Sequence, residues 1–442
     1  MDGAGSEDAP VRYVRSPYVV RAGERNGRPV VAHRASGRQF VVGAAAYELL
    51  QALERPTGLS DLEGWAASHQ LAGTRQLEGI LADLTARALV LEERGGRVRD
   101  GVHVTLPARR LFNAAPFDPA VDRGATVLLG VPFGAGNGAS SATANAPAAV
   151  RGLAKGLGLD LQRTDSLAGI RSLFDTDADE DGAGPGLAAG ARRIHDWGDL
   201  YVPRREFADV TYDKLYAVAS AVLRADSRLF AIGGDHSITY PLLRACTERN
   251  SGVHLIHVDA HTDSYDGASA AVLEGSPAFH HGNFVKLALD RLAGLDHVHQ
   301  FAVRGVGNAG IGHLERQSIH GMRATRRIAA GDEAWSIPTG SPCYLTVDVD
   351  ALEPHVAPGT ATPVPGGLSL RELLTLLARL MAGRRIVGLD IVELDPERDA
   401  GGATTAIVTE LLVYMLDRLD HATTAQECSV HNGAEEDTCR IR

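Results

Sequence analysis

The sequence predicts a three-layer α/β domain built on a largely parallel sheet, preceded by a small α+β domain. Two observations carry the larger domain. From Thr126 onward, runs such as TVLLGV at 126–131 and RIVGLDIV at 385–392 are apolar on both faces, and amphipathic stretches separate them. Strands of that kind need helices on each side, which is the condition of a parallel sheet. A third observation carries the smaller domain. Residues 11 to about 96 alternate short β-like runs with helical patterns, and a proline-bearing segment follows them.

In chain order, the β-like runs Tyr18-Val19-Val20 and Phe40-Val41-Val42 precede helical patterns at 44–54, 60–69 and 74–87. They define a domain over 1–106. Pro107, Pro116 and Pro119 make 107–124 a linker, because proline blocks helix interiors and sheet ladders alike. The main domain spans 125–420. Its strands are read at 126–131, 228–232, 253–258 and 385–392, with the run CYLTV ending at Asp348, and its helices at 212–224, 238–249, 369–382 and 404–419. Residues 175–190, rich in Gly, Ala and acid, read as a mobile loop, and 421–442 as a flexible tail.

Composition narrows the classes of function. At 442 residues, with 44% hydrophobic and 22% charged residues, the chain is an ordinary folded protein of more than one domain. A net charge of -11 argues against nucleic acid as a partner, which needs clustered Lys and Arg. No run is apolar enough for a membrane span, and the start MDGAGSEDAP has no secretory pattern, so a cytoplasmic protein without a membrane partner is expected. The four cysteines fit neither a zinc site nor a disulfide scaffold. Cys246 and Cys343 read as core; Cys428 and Cys439 lie in the polar tail.

Three segments place acids and histidines at strand ends. Gly233-Gly234-Asp235-His236-Ser237 follows 228–232, Asp259-Ala260-His261-Thr262-Asp263 follows 253–258, and Asp348-Val349-Asp350 ends CYLTV. Carboxyl ends of parallel strands line the ligand crevice, and the period-two alternation lets Asp259, His261 and Asp263 point one way, as it does Asp348 and Asp350. Taken singly, each segment is a turn or an N-cap as readily as a ligand set. Together they gather acids and imidazoles that would repel without cations. A donor set of oxygen and imidazole nitrogen without thiolate suits a Mn2+ pair, whose chemistry is hydrolysis at an electrophilic carbon.

These segments, GGDHS, DAHTD and DVDALEP, closely resemble the signatures of the ureohydrolase (arginase and agmatinase) family, in that family's order, over about residues 125–420. The resemblance implies an arginase-like fold and two Mn2+ per chain. His236, Asp259, Asp263 and Asp348 would hold one ion; Asp259, His261, Asp348 and Asp350 would hold the other. Asp259 and Asp348 would bridge. It further implies catalytic roles for Asp263, His281 and Glu393, with Glu393 and His281 also binding substrate. Glu393, in Gly388-Leu389-Asp390-Ile391-Val392-Glu393, would pair with a guanidinium, and His281, in His281-Gly282-Asn283, would transfer protons. His280 is the competing position beside it. Two departures stand out. Glu353-Pro354 replaces the usual aspartate-proline, and the Ser-Gly-Asn stretch by which arginases hold free arginine is not evident between Asp263 and His281. Val303-Arg304-Gly305 resembles the agmatinase branch instead.

The N-terminal domain, short strands followed by three helices, resembles the PqqD-like domains that take a leader peptide as an added strand beside enzymes of ribosomal peptide modification, which implies a winged-helix-like make-up. Its alternative is a small oligomerisation or lid domain, the former consistent with a homo-oligomer. Three functions follow. The first is hydrolysis of peptidyl arginine to ornithine and urea in a precursor peptide. The second is an agmatinase-like hydrolase of a small free guanidino substrate. The third is a non-catalytic peptide binder, against which the intact ligand set, His281 and Glu393 weigh.

Overall fold

The computed structural model of the chain describes residues 10–16, 19–33, 38–69, 73–87, 89–94, 97–99, 104–105, 110–157, 160, 194–202, 208–265, 279–308 and 314–435. Its contacts separate two units, Met1–Thr105 and Leu106–Arg442. Residues 175–190, expected to form a loop, lie outside the described residues. No described helix is long and apolar enough to cross a membrane.

The smaller unit is α+β with antiparallel pairing. Strand β1 (Arg12–Arg15) is followed by the hairpin β2 (Val19–Arg25) and β3 (Arg28–His33), and by β4 (Arg38–Val41). Asn26 and Gly27 close the hairpin, both at positive φ (52 and 70°). Asn-Gly is the pair that a two-residue hairpin turn of this hand requires. Helices α1 (Ala44–Ala52), α2 (Leu59–Ser68) and α3 (Thr74–Ala86) come next, with β5 (Thr57–Gly58) between the first two and β6 (Val90–Arg94) and β7 (Arg97–Arg99) at the end. Two small sheets result, in the orders β5-β1-β6-β7 and β2-β3-β4. Leu49, Leu50, Leu62, Leu77 and Leu84 from the helices, with Leu53 just after α1, pack against Val31 and Val90 from the strands. Burying each leucine contributes about 1.5–3 kcal/mol.

The larger unit contains the parallel sheet. Its strands are β8 (Ala115–Pro116), β9 (Thr126–Gly130), β10 (Ile194–Leu200), β11 (Arg228–Ile232), β12 (Val253–Val258), β13 (Leu295–Val303), β14 (Gln317–Gly321), β15 (Pro342–Asp348) and β16 (Arg385–Val392). Their order is β14-β13-β12-β15-β16-β11-β9-β10, with β8 added on β10. The runs at β9, β12, β15 and β16 are buried almost throughout, as two covered faces require. Short β8 falls within 107–124, which the sequence marked as a linker. Pro116 is tolerated there because the strand is two residues long and lies beside β10 alone.

Helices α4 (Ala146–Gly156), α5 (Ala208–Arg224), α6 (Thr239–Arg249), α7 (Phe284–Arg291), α8 (Met322–Ala330), α9 (Leu370–Met381) and α10 (Ala403–Glu435) flank the sheet or join its strands. For α9 the reason is explicit. Ser369 and Glu372 form a reciprocal capping box at its start, and Leu373, Leu376, Leu377 and Leu380 follow at helical spacing into the core. Helix α10 runs on to Glu435, past residue 420 where the sequence reading began a tail. Extending a helix already anchored by packed residues avoids the nucleation cost. Cys246 and Cys343 are buried free thiols.

The turn after β11 sets the geometry of everything that follows. A Cβ on Gly234 would lie 1.9 Å from the Phe133 carbonyl oxygen, so only glycine allows the two loops to meet. Asp235 N–H then donates to that carbonyl, and Glu393 N–H donates to the Gly234 carbonyl. Gly234→Ala should therefore lower the stability of the larger unit by about 1–3 kcal/mol or more. Thermal unfolding of the purified protein checks it; an unchanged midpoint would contradict the close approach.

Candidate metal centre

Four neighbouring strands deliver the site. In the order β12-β15-β16-β11, their carboxyl ends carry Asp259, Asp348, Glu393 and the turn to His236. All are buried. Asp263 and Glu393 adopt left-handed backbone conformations, with φ of 46 and 65°. Non-glycine residues occupy that region at a cost of about 1–3 kcal/mol, and they do so where the surroundings over-determine the side-chain position.

His236 is the pivot. Its Nε2 lies 2.9 Å from Thr346 Oγ1, and that hydroxyl donates to Asp390 Oδ1. Asp390 is held in turn by Thr239 at 3.0 Å and by the Tyr344 hydroxyl at 2.6 Å. Because Thr346 gives its proton to a carboxylate, its oxygen must accept from His236, which places the proton on Nε2. Nδ1 then faces Asp259 Oδ2 at 3.0 Å, Asp263 Oδ2 at 3.2 Å and Asp348 Oδ2 at 3.3 Å. It is fully buried and in line for a hydrogen bond with none of them. A nitrogen lone pair ringed by carboxylate oxygens out of reach of water is a cation site.

A second group adjoins the first. His261 Nδ1 lies 3.0 Å from Asp350 Oδ2 and 3.4 Å from Asp259 Oδ1. Asp259 thus belongs to both groups, each of which could hold a metal ion. Electrostatics agree. Burial and the charges of Asp350 and Asp259 push the Asp348 carboxyl well up. Burial and Asp259 push Asp350 up to about 6. Burial pulls the His236 imidazole down, but the three carboxylates around it outweigh this and hold it well above its ordinary value. Protons are standing in for positive charge, and a divalent ion relieves the same repulsion.

Glu393 and His281 border the centre. Glu393 accepts from the Asn137 amide at 2.8 Å and from His236 N–H at 2.9 Å, and His281 Nδ1 lies 3.4 Å from its Oε1. Burial lowers the His281 pKa, yet Glu393, Asp263 and Asp235 raise it to about 9. His280 turns the other way. Its Nδ1 accepts from Gly282 N–H at 3.2 Å and caps the short helix that follows. The structure therefore brings His236, Asp259, His261, Asp263, Asp348, Asp350, His281 and Glu393 to one place and leaves His280 outside it. Arg304 has a different task. Its guanidinium donates to the carbonyls of Asp350, Leu352 and Val364 and ties the loops below the site together.

Two residues of the site escaped the sequence reading. His257 lies two residues before Asp259 and 2.9 Å from it, so the same period-two rule that selected His261 and Asp263 would have found it. Asn137 carries no comparable signal, because its loop is far from the ligand segments in the sequence.

Residues 125–417 match the model of the Arginase family. The chain belongs to the arginase family. It is 29% identical over 320 residues to proclavaminate amidinohydrolase of Streptomyces clavuligerus, covering 69% of this chain and 91% of that protein. It is 31% identical over 308 residues to agmatinase of Proteus mirabilis, covering 69% and 90%. The solved structure of the Streptomyces clavuligerus enzyme matches with a TM-score of 0.53 and 26% identity, over 72% of this chain and 98% of that one. The fold is thus the three-layer arginase-like one, and the chain is a hydrolase of carbon–nitrogen bonds in linear amidines.

The relay behind His236 gives a direct test. Thr346→Val keeps the shape but leaves the buried Nε2–H and the Asp390 carboxylate without the hydroxyl between them, at a cost of about 1–3 kcal/mol. Urea unfolding of chelator-treated protein should show that loss, and Thr346→Ser should largely avoid it. Equal stability of the valine variant would mean that the relay does not hold the imidazole.

Proposed function

We propose that the protein hydrolyses a guanidinium group to an amine plus urea at a two-manganese centre, and that its substrate is an arginine side chain within a precursor peptide, left as ornithine. The observation that carries the chemistry is the pair of overlapping carboxylate and imidazole groups bordered by a buried glutamate and a histidine. One ion would be held by His236, Asp259, Asp263 and Asp348, the other by Asp259, His261, Asp348 and Asp350. When bound, such a pair supplies the positive charge that makes water a nucleophile near neutral pH.

The side chains divide the remaining work. Glu393, held by Asn137 and by His236 N–H, keeps lone pairs for the forked N–H donors of a planar cation, which sets the guanidinium over the centre. Water adds to the guanidinium carbon, the bond to the alkyl nitrogen breaks, and His281 supplies the proton that the departing amine takes. Its raised pKa keeps a proton available for that step. Asp263 steadies the centre from a backbone conformation that allows little rearrangement.

The peptide substrate is supported by the smaller unit. The family match begins at residue 125 and leaves the residues of the smaller unit, Met1–Thr105, outside it. Their three-stranded sheet has β2 at an edge, and its residues Arg21 to Arg25 are exposed. An exposed edge of this kind accepts an extended peptide as a further strand through main-chain hydrogen bonds. A second reading, hydrolysis of a small free guanidino compound, is favoured by the names of the relatives, an agmatinase and a proclavaminate amidinohydrolase. In that reading the smaller unit serves assembly of a homo-oligomer.

Mass spectrometry of arginine peptides and small guanidines after incubation with manganese-loaded full-length enzyme decides between them. Conversion removes about 42 daltons, the mass of CN2H2. For a leader-recruiting enzyme, a peptide with its N-terminal extension should show a much lower KM than the same core without it, because tethering raises the local concentration of the arginine. Agmatine turned over faster than every peptide, with no effect of the extension, would select the second reading.

Substitutions separate the roles within the site. Asp259→Asn should strip manganese and activity together. His281→Ala should keep the metal and lower turnover by about two to four orders of magnitude. Metal analysis alongside rates checks both, and full metal content in active Asp259→Asn protein would refute the ligand assignment.

A further inference from the structure

His257 stands among the groups that could hold a metal, with His236, Asp259 and Asp263, and its Nε2 lies 2.9 Å from Asp259 Oδ2. Proximity alone makes it a fifth candidate ligand. The side chains behind it decide otherwise. Gln300 Nε2 lies 2.7 Å from the Thr262 carbonyl oxygen, which can only accept. The Gln300 atom there is thus the amide nitrogen, and the same nitrogen lies 2.6 Å from His257 Nδ1.

The orientation of Gln300 is fixed a second time. Its Oε1 accepts from Gln317 Nε2 at 2.6 Å, and Gln317 Nε2 also donates to Ser264 Oγ at 3.0 Å. Ser264 has given its own proton to the Thr262 carbonyl at 2.9 Å, so it must accept here. At the far end, Leu314 N–H donates to Gln317 Oε1 at 3.1 Å. Each amide uses both of its N–H groups, and reversing either one would set oxygen against oxygen. His257 Nδ1 therefore receives a hydrogen bond, and its proton sits on Nε2, directed at Asp259.

We propose that His257 is a positioning residue, not a ligand: it holds the Asp259 carboxylate for the metal pair, and Gln300 and Gln317 fix the ring that does so. This rests on the metal-centre reading above. Asp259 accepts from His257 on Oδ2 and from His261 N–H on Oδ1 at 2.5 Å, so the plane of the shared carboxylate is set before an ion arrives. Gln300 links this to the loop that carries His261 and Asp263, since one amide nitrogen holds both His257 and the Thr262 carbonyl. Partners of this kind orient ligands and tune affinity without touching the metal.

Calorimetric titration of chelator-stripped full-length protein with Mn2+ tests the proposal. His257→Phe and Gln300→Met should bind as many equivalents as the unaltered chain, with about 10- to 100-fold weaker affinity. His257→Gln, which keeps an N–H near the position of Nε2, should recover most of the loss. A missing equivalent in His257→Phe would make His257 a ligand, and unchanged affinity in both weakened variants would leave it no role; either result overturns the proposal. Should His257→Phe fail to fold, the nitrogen-15 spectrum of histidine in the unaltered metal-free protein remains decisive. A His257 proton on Nε2 is expected, and one on Nδ1 refutes the assignment. An unaltered chain that binds no manganese would instead sink the metal-centre reading itself.

Discussion

Three aspartate oxygens lie within 3.3 Å of the buried Nδ1 of His236, in a place that water does not reach. Nothing in a hydrophobic interior tolerates that arrangement unless positive charge completes it. Much of the larger unit serves to maintain it. Four adjacent strands end at the same depth, the Gly233-Gly234 turn lets two loops touch, and Asp390 works through Thr346 to keep the imidazole facing inward. Even the strained backbone at Asp263 and Glu393 belongs to this scheme, since each places a carboxylate where a relaxed conformation would not.

The central strands were legible in the sequence because burial on both faces leaves an unbroken apolar run. The strands that went unread are the polar ones. Strand β10, IHDWGDL, buries Asp196, which its sequence gives no reason to expect until Arg151 of α4 is seen forking onto it at 2.5 and 2.9 Å. Strand β13, LDHVHQFAV, carries Gln300 inward to orient His257. In both, a polar side chain breaks the pattern because its partner lies far away in the chain. The helices α4, α7 and α8 were missed for other reasons: α7 and α8 span only eight and nine residues, and α4 buries Ala146, Pro147, Val150 and Ala154, small residues that stand out little in a sequence.

The site was read more fully than the fold. Motif order and strand-end placement singled out the residues that the fold gathers, while period two set His261 and Asp263 side by side where the structure turns them to different groups around Asp259. Tertiary facts had to come from the structure. In the sequence His281 is preferred to His280 on its place before Gly282, and the fold shows the physical difference, one capping a helix while the other faces Glu393. Arg304 likewise stands in the sequence only as part of a stretch that resembles the agmatinase branch, and the fold shows its donors spent on loop carbonyls.

The parallel arrangement also governs how the centre comes into being. His236 N–H and the Glu393 carboxylate are 157 residues apart, the His236 ring and Thr346 are 110 apart, and Asn137 reaches Glu393 across 256. Each pairing closes a long loop, whose entropy must be met before the contact returns anything. The strands that carry the ligands and Glu393 therefore cannot meet as a local nucleus. They meet only when the whole sheet has found its register, so the ability to hold metal is acquired last, and a partly folded chain presents acids without a cavity to gather them.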